Sequence, residues 1–204
     1  MKKNIFFIAI IFILASAFTS CKKGDQDPAI SLLSRKARLT GDWILTDASY
    51  TVTTSGSVTT YDFDNSTGVM TKVYSSNGIS YTKNYNYSLE MIYNKDNSYQ
   101  EIETKNTDEV TTTKGFWYFG DKNKELDVKN KERVIIEVTE RHYSDEDGEQ
   151  WSDYYLGKNN NHVLMMDLSR LANDEIIIDL DQTYNDEDGL VSSVKGTLTF
   201  AKKK

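Results

Sequence analysis

The side chains best suited to acid–base chemistry near neutral pH are two histidines, His142 and His162. Neither accompanies a motif of nucleophilic or metal-dependent catalysis, because the sequence contains no Gly-x-Ser-x-Gly elbow, no His-Glu-x-x-His helix and no glycine-rich phosphate loop. Paired carboxylates can hydrolyse glycosides, but among 31 acidic residues such pairs arise by chance. The sequence therefore predicts a protein that is not an enzyme, with no catalytic residue and no cofactor.

The acidic turns could bind calcium. An EF-hand loop needs oxygen ligands at its first, third and fifth positions, glycine at the sixth and glutamate at the twelfth. When the chain is aligned on Gly148, tyrosines occupy the first and twelfth positions, and the Asp-Gly pair is typical of a tight hairpin turn. We therefore predict no metal site. A looser calcium site at Asp145, Asp147 and Glu149, or a transition-metal site that adds His142, is the open alternative.

Cys21 is the only cysteine, and the segment before it has the architecture of a secretory signal. Lys2 and Lys3 precede an apolar run from Ile5 to Phe18, shorter than the roughly 20 residues that span a membrane. A lone cysteine in an exported protein cannot form an internal disulfide, so acylation would account for it. The segment resembles the lipobox of bacterial lipoproteins, which implies cleavage before Cys21 and a thiol that carries lipid chains such as palmitate.

This resemblance implies a division of the chain into a signal peptide at 1–20, a lipidated cysteine and tether at 21–29, and one domain at 30–204. An ordinary signal peptide and an uncleaved membrane helix are the alternatives. Lys22 follows the cysteine in place of the aspartate that retains such lipoproteins in the inner membrane. We therefore expect a lipid anchor on the outer membrane, at its periplasmic face or on the cell surface.

Charge argues against nucleic acid as a partner. Cleavage before Cys21 removes Lys2 and Lys3 but no acidic residue, so the formal charge of −7 becomes −9, whereas a nucleic-acid binder needs a basic face. The three lysines at 202–204 are predicted to be a solvated tail. We expect a monomer whose partners are the membrane, through lipid on Cys21, and a small amphipathic ligand.

Hydrophobic periodicity predicts an all-β domain after one short helix. Asp27 is the predicted helix cap and Gly41 the helix end. From Tyr81 to Tyr93, large apolar or aromatic residues occupy most odd positions and polar residues most even ones, as in an antiparallel strand with one buried face. The same alternation recurs at 134–138, 164–168, 176–180 and 194–200, with turn signals at 65–68, 77–78, 95–97, 147–148, 159–161 and 188–189.

Many short strands without intervening helices are typical of a barrel or a sandwich. We predict an antiparallel up-and-down β-barrel of about 8–10 strands with a short N-terminal helix, and a β-sandwich is the alternative. The two segments that follow 134–138 and 176–180 both end in an acidic Asp-Gly turn, which indicates two long hairpins within one domain.

The segment Leu39-Thr40-Gly41-Asp42-Trp43 resembles the Gly-x-Trp signature of the lipocalins, especially the lipocalin-like lipoproteins of Gram-negative bacteria. A second Gly-x-Trp, Gly115-Phe116-Trp117, lies in mid-chain. The resemblance implies a lipocalin-like barrel closed at its base by a helical turn, with Trp43 plugging the core and Gly41 and Gly115 as structural positions. Some true lipocalins stack a later arginine on this tryptophan; Arg133, Arg141 and Arg170 are the candidates here, and no local motif assigns the role to one of them.

Aromatic residues are the candidates for ligand binding, because an open barrel end lined with tyrosines could hold a small amphipathic molecule by stacking and hydrogen bonds. The candidate residues are Tyr81, Tyr85, Tyr87, Met91, Trp117 and Trp151. The first hypothesis is non-covalent binding of a small, partly apolar ligand, and it requires an interior cavity of roughly 300 Å3 or more.

The second hypothesis is a non-enzymatic surface module that contacts an envelope protein or a glycan. It requires a packed interior and an exposed aromatic cluster drawn from Tyr50, Tyr61, Tyr74 and Tyr99. A hydrolase that acts on carbohydrate or lipid is the third and weakest hypothesis.

Overall fold

The computed structural model describes residues 27–28, 32–125, 132–155, 162–185 and 191–204, with the side chains of 149, 184 and 185 left out. The signal segment, Cys21, most of the tether and the turns at 159–161 and 188–189 lie outside the described residues. Within the described ranges, no helix is long and apolar enough to cross a membrane.

Among the described residues, one helix precedes eleven strands, and all the strand pairs are antiparallel. Their bounds are α1 (Arg35–Leu39), β1 (Gly41–Thr54), β2 (Ser57–Asp64), β3 (Val69–Ser76), β4 (Ile79–Tyr93), β5 (Ser98–Lys105), β6 (Glu109–Phe119), β7 (Arg133–Asp145), β8 (Gly148–Tyr154), β9 (His162–Leu171), β10 (Glu175–Asn185) and β11 (Val191–Lys202). Strands β1–β7 and β9–β11 form a closed circuit of ten, and β8 pairs with β7 outside it. The predicted up-and-down barrel with a short N-terminal helix is confirmed, and its closure excludes the sandwich.

The two ends of the barrel have different circumferences. At the base, residues 41–44 of β1 pair directly with residues 90–93 of β4. Beyond a bulge between Leu45 and Asp47, β1 pairs with β2 instead, so the β2–β3 hairpin is inserted between β1 and β4. The circuit therefore has eight strands at the base and ten at the opposite end, which we call the mouth. Because barrel diameter grows with strand number, the mouth is wider than the base.

The hydrophobic core fills the base. Its fully buried large members include Trp43, Tyr93, Trp117, Ile136, Leu168 and Phe200. Eight strands leave an interior that side chains can fill, which explains why the core is packed there. The described strands therefore surround one hydrophobic core.

Trp43 is fully buried in the base of the barrel. Its indole Nε1 donates a hydrogen bond to the Leu39 carbonyl at 2.7 Å, and the Nζ of Lys202 lies 4.9 Å from its ring centroid. Lys202 lies opposite Trp43 in the β1–β11 ladder and also donates to the Arg38 carbonyl at 3.0 Å. The cation on the tryptophan is thus a lysine, and none of the three expected arginines occupies this position.

The C-terminal lysines do not form the predicted solvated tail. Lys203 lies beside the base, where its Nζ is 2.9 and 3.1 Å from the two carboxylate oxygens of Glu90. Because Lys202 and Lys203 both bind the barrel, only Lys204 is left of the predicted solvated tail.

Helix α1 is shorter than predicted and has a different cap. Ser34 is the N-cap, since its hydroxyl accepts a hydrogen bond from the Ala37 amide at 3.1 Å. Asp27 was expected in that role but lies elsewhere, buried and in contact with the end of β9.

Asp27 ties the N-terminal segment to the barrel base. One carboxylate oxygen accepts a hydrogen bond from the Leu171 amide at 2.7 Å, and the other forms a buried ion pair with Arg35. Arg38 lies 3.7 Å from the same carboxylate and donates to the Leu171 carbonyl. We call Asp27, Arg35 and Arg38 the base latch. Burial of two cations beside one anion makes the carboxylate essential to this arrangement.

We expect Asp27→Ala to lower the free energy of unfolding by about 3–5 kcal/mol, because it removes the buried carboxylate that contacts both Arg35 and Arg38. The measurement is urea unfolding of a chain spanning residues 22–204, followed by tryptophan fluorescence. The exposed Asp121 supplies the matched control, for which Asp121→Ala should change the free energy by less than about 0.5 kcal/mol. Equal effects of the two substitutions would contradict the role of the latch.

Candidate ligand-binding cavity

A cavity of about 380 Å3 opens at the mouth of the barrel, and we call it the vestibule. The side chains that define it include Tyr50, Tyr61, Lys72, Lys83, Tyr85 and Tyr87. Its volume lies within the range of small-molecule sites. It occurs where the circuit widens to ten strands, so side chains no longer fill the interior.

Two smaller apolar chambers lie below the vestibule, each of about 240 Å3. The chamber that Tyr50 and Tyr87 share with the vestibule is called the first chamber, and the other, lined by Met91, the second chamber. Leucines line both chambers: Leu89, Leu180 and Leu198. Shared walls make the three spaces neighbours along the barrel axis. The vestibule is therefore polar and aromatic, and the chambers beneath it are mainly aliphatic, with Glu101 in the wall of one of them.

Strand register places the first pair of tyrosines. Tyr50 lies opposite Tyr61 in the β1–β2 ladder, and their rings stack with centroids 4.6 Å apart. On its other side Tyr50 lies opposite Gly196, where a Cβ would overlap the backbone and Cβ of Tyr50. Gly196 has φ +146°, a backbone conformation that other residues rarely adopt. The glycine thus makes room for the tyrosine at the cavity wall.

The second pair of tyrosines comes from β4. Tyr85 and Tyr87 meet edge to face at 6.1 Å, and the Tyr87 hydroxyl donates a hydrogen bond to Glu103 at 3.1 Å. Burial raises the pKa of Tyr85 to about 12, and burial also raises the pKa values of Tyr50 and Tyr87. These phenols are therefore protonated near neutral pH and can donate hydrogen bonds to a ligand.

Charged residues surround the tyrosines. Glu103 accepts a hydrogen bond from Lys105 at 3.0 Å, and Glu109 accepts one from Asn106 at 2.6 Å. Lys72 lies opposite Lys83 in the β3–β4 ladder, and the Lys72 Nζ is 5.5 Å from the Tyr61 ring centroid. The vestibule thus contains two carboxylates that already accept hydrogen bonds and two lysines that lie opposite one another on neighbouring strands.

A row of polar residues crosses the interior lower down. Glu101 lies opposite Thr113 on β6, and Thr113 lies opposite Arg141 on β7. The Tyr99 hydroxyl donates to Glu101 at 2.8 Å, while the Thr113 Oγ1 and the Arg141 Nε are buried with no hydrogen-bond partner among the described residues. Burial raises the pKa of Glu101, and Tyr99 and Arg141 oppose that rise. The row offers an acid and two free donors inside the barrel.

The ladder between β9 and β10 covers only the lower part of the two strands. Their ladder extends from Leu171 and Ile176 only as far as Asp167 and Asp179. Above this level the Gln182 side chain donates to the Met165 carbonyl at 2.8 Å and bridges the two strands. The second apolar chamber lies behind this bridge, since Met165 and Gln182 are among its lining residues.

The candidate residues chosen from sequence separate into two groups. Tyr85, Tyr87 and Met91 lie in the interior, with Tyr85 and Tyr87 in the vestibule and Met91 at the second chamber. The other three lie elsewhere: Trp117 is buried in the base, where its Nε1 donates to the Asn94 carbonyl at 3.1 Å, and Tyr81 and Trp151 are 63% and 41% exposed. Trp151 also belongs to β8, outside the closed circuit.

The second hypothesis requires an exposed aromatic cluster, but two of its four tyrosines line the cavity. Tyr50 and Tyr61 line the vestibule, Tyr99 is buried, and only Tyr74 of that expected cluster is exposed, at 41%. The Ser55-Gly56 turn fixes the β1–β2 register, which is the signal that could have paired Tyr50 with Tyr61.

The histidines do not form a common site. His162 lies opposite Val138 and stacks on Tyr155 at 5.1 Å. His142 Nδ1 is 2.7 Å from the Ser152 hydroxyl, and its Nε2 is 3.6 Å from Glu140. This serine, histidine and glutamate lie on the β7–β8 hairpin, away from the vestibule. Lys114 binds Glu140 more closely, at 2.7 Å, so the glutamate serves a surface ion pair.

No group of three or more histidine, cysteine or acidic side chains in the described ranges is placed to hold a metal ion. Asp145, a candidate calcium ligand, accepts hydrogen bonds from the Asp147 amide at 3.0 Å and from the Gln150 side chain at 2.7 Å. These contacts stabilise the hairpin turn, as Asx turns generally do. The side chain of Glu149 lies outside what is described.

Comparison of the chain with protein-family models, with curated proteins and with solved structures found no match.

The raised pKa of Glu101 gives a pH-dependent prediction. Below the ordinary glutamate pKa of about 4.3, the carboxyl is protonated in both states and has no effect on stability. As the pH rises toward the higher pKa of the folded state, the unfolded chain ionises first, so the folded state loses relative stability. Glu101→Gln removes this loss. We expect wild type and variant to unfold at the same urea concentration at pH 4 and the variant to be more stable at pH 7.5.

The exposed Glu146 supplies the control, since Glu146→Gln should leave the pH dependence unchanged. A Glu101→Gln protein that is less stable than wild type at pH 7.5 would contradict the prediction, because it would show that ionised Glu101 stabilises the fold.

Proposed function

We propose that this protein binds a small, partly apolar ligand non-covalently inside its barrel, and that it does so as a lipid-anchored lipoprotein of the lipocalin-like kind. The observation that carries the proposal is the neighbouring vestibule and apolar chambers, one of which is lined by Tyr50, Tyr87, Leu89, Leu180 and Leu198. Specific small-molecule sites combine such apolar walls with a few polar groups that orient the ligand.

Composition of the walls supports an amphipathic ligand. In the vestibule the hydroxyls of Tyr50, Tyr61 and Tyr85 make no hydrogen bond to any described residue, so they remain available to a ligand. The chambers below present mainly aliphatic side chains such as Leu180 and Leu198. A polar group at the mouth and an apolar body beneath it would satisfy both surfaces.

Filling the chambers should abolish binding. Leu198 lines both chambers, so Leu198→Trp is expected to weaken binding of N-phenyl-1-naphthylamine to the 22–204 chain by at least tenfold. Affinity is measured by the rise in probe fluorescence, and native mass spectrometry of the protein from its own host tests for a co-purifying molecule.

Thr197 is the matched control, because it is the next residue on β11 and is exposed. Thr197→Trp should bind the probe as wild type does. Equal probe affinity of wild type and Leu198→Trp would place the bound probe outside the barrel and contradict the proposal.

The anchor part of the proposal rests on the lipobox resemblance at Cys21, and the base latch supports one orientation. Asp27 lies at the base, six residues after Cys21. Six extended residues span at most about 20 Å, so a lipid on Cys21 would hold the base near the membrane. The mouth would then face away from the membrane that carries the anchor.

Orientation is tested with a fluorophore on one of two added cysteines in the full chain. Ile79→Cys marks the β3–β4 turn at the mouth and Lys95→Cys marks the β4–β5 turn at the base. At the usual rise and tilt, β4 separates these positions by roughly 35 Å. We expect quenching by a lipid-borne nitroxide to be strong at position 95 and weak at position 79.

The control adds Cys21→Ser to each variant, which should remove the protein from the membrane fraction. Unchanged membrane association would refute the lipid anchor, whereas stronger quenching at position 79 would refute only the orientation.

A surface interaction module is the second candidate function, and the outer wall favours it. Tyr118, Ile135 and Met165 lie side by side across β6, β7 and β9, with Tyr118 and Met165 more than two-fifths exposed. An exposed apolar row of this kind suits contact with another protein. Failure of the cavity to bind any probe would leave this wall as the better candidate.

A further inference from the structure

We propose that the vestibule holds an anionic head group between Lys72 and Lys83, so that the ligand is a single-chain amphipath with a carboxylate or phosphate at one end. This inference rests on the proposed function and specifies its ligand. The observations that carry it are the register of β3 and β4, the pairing of the vestibule's carboxylates, and the apolar chambers below.

The Asn77-Gly78 turn sets two lysines face to face. Both residues have positive φ angles, of 50° and 77°, as in the tight turn that joins adjacent antiparallel strands. The resulting register pairs Lys72 directly with Lys83, and both line the vestibule. Like charges directly opposite one another on a sheet are destabilising. An anion bound between them would convert this repulsion into attraction.

The protein's own carboxylates do not neutralise these lysines. Glu103 is hydrogen-bonded to Tyr87 and Lys105, and Glu109 to Asn106. Within the described residues, neither Lys72 nor Lys83 forms an ion pair. The chain as a whole is acidic, with a formal charge of −7, so two unneutralised cations in one cavity are a local exception.

Neighbouring groups complete a site for an anion. Lys72 extends over the Tyr61 ring, and the Tyr61 and Tyr85 hydroxyls line the same space. Tyr85 remains protonated at neutral pH and is therefore a donor. Two ammonium groups and two hydroxyls offer charge-assisted hydrogen bonds to a carboxylate or phosphate, and these are stronger than hydrogen bonds between neutral groups.

The position of the chambers defines the rest of the ligand. An anion held at the mouth leaves its hydrocarbon chain next to Leu89, Leu180 and Leu198, which line both chambers. A fatty acid and a monoacyl phosphate share this chemistry. They differ in the head group, so the test includes both.

Isothermal titration calorimetry on the 22–204 chain compares three probes that share a ten-carbon chain: decanoate, decyl phosphate and decanol. We expect at least one of the two anions to bind about tenfold more tightly than decanol at 50 mM salt, with the difference shrinking at 500 mM. Preference for decanoate indicates a fatty acid, and preference for decyl phosphate indicates a phosphate head. Equal affinity of all three probes would overturn the anionic site while leaving the apolar cavity intact.

The double variant Lys72→Gln with Lys83→Gln keeps a polar side chain at both positions and removes both charges. It should bind decanol as wild type does and lose the tenfold preference for the anion. Lys95→Gln, at an exposed turn of the base, is the control and should keep the preference. Preference retained in the double variant would overturn the proposal, and no binding of any probe to wild type would overturn the proposed function with it.

Discussion

The change of partner by β1 determines the shape of the whole molecule. At residues 41–44 this strand pairs with β4, and after the bulge at Leu45 and Asp47 it pairs with β2. In this barrel the eight-stranded base is filled by side chains, whereas the wider mouth contains the vestibule. A packed base and a hollow mouth are therefore two results of one local irregularity, the insertion of the β2–β3 hairpin.

This division determines where polar residues can point inward. In the base, Trp43 and Trp117 each satisfy their indole nitrogen with a backbone carbonyl, because an unpaired polar group in a dry core is costly. At the mouth, Lys72 and Glu103 face the interior, where the open vestibule lowers the cost of their burial. Glu101 lies between the packed base and the open mouth, and the rise in its pKa reflects its partial separation from water.

The sequence predicted the β4 strand and the barrel because period-two alternation follows burial wherever one face is apolar. The same rule fails on β5, where the inward residues include Glu101 and Glu103 while Ile102 points outward. A strand that lines a cavity is not required to be apolar on its inner face, so alternation alone does not reveal its orientation. Lys202 was missed for another reason, since its contact with Trp43 depends on the pairing of β1 with the distant β11.

The packed core and the vestibule lie at opposite ends of this barrel, and that separation allows the mouth to carry an unfavourable pair of charges. Cross-strand charge pairs contribute about 0.2–1 kcal/mol, whereas a domain is stable by about 5–15 kcal/mol. The base latch and the buried Trp43 stabilise the base independently of Lys72 and Lys83. Repulsion between the lysines is therefore tolerable without ligand, and its relief on binding of an anion would add to affinity.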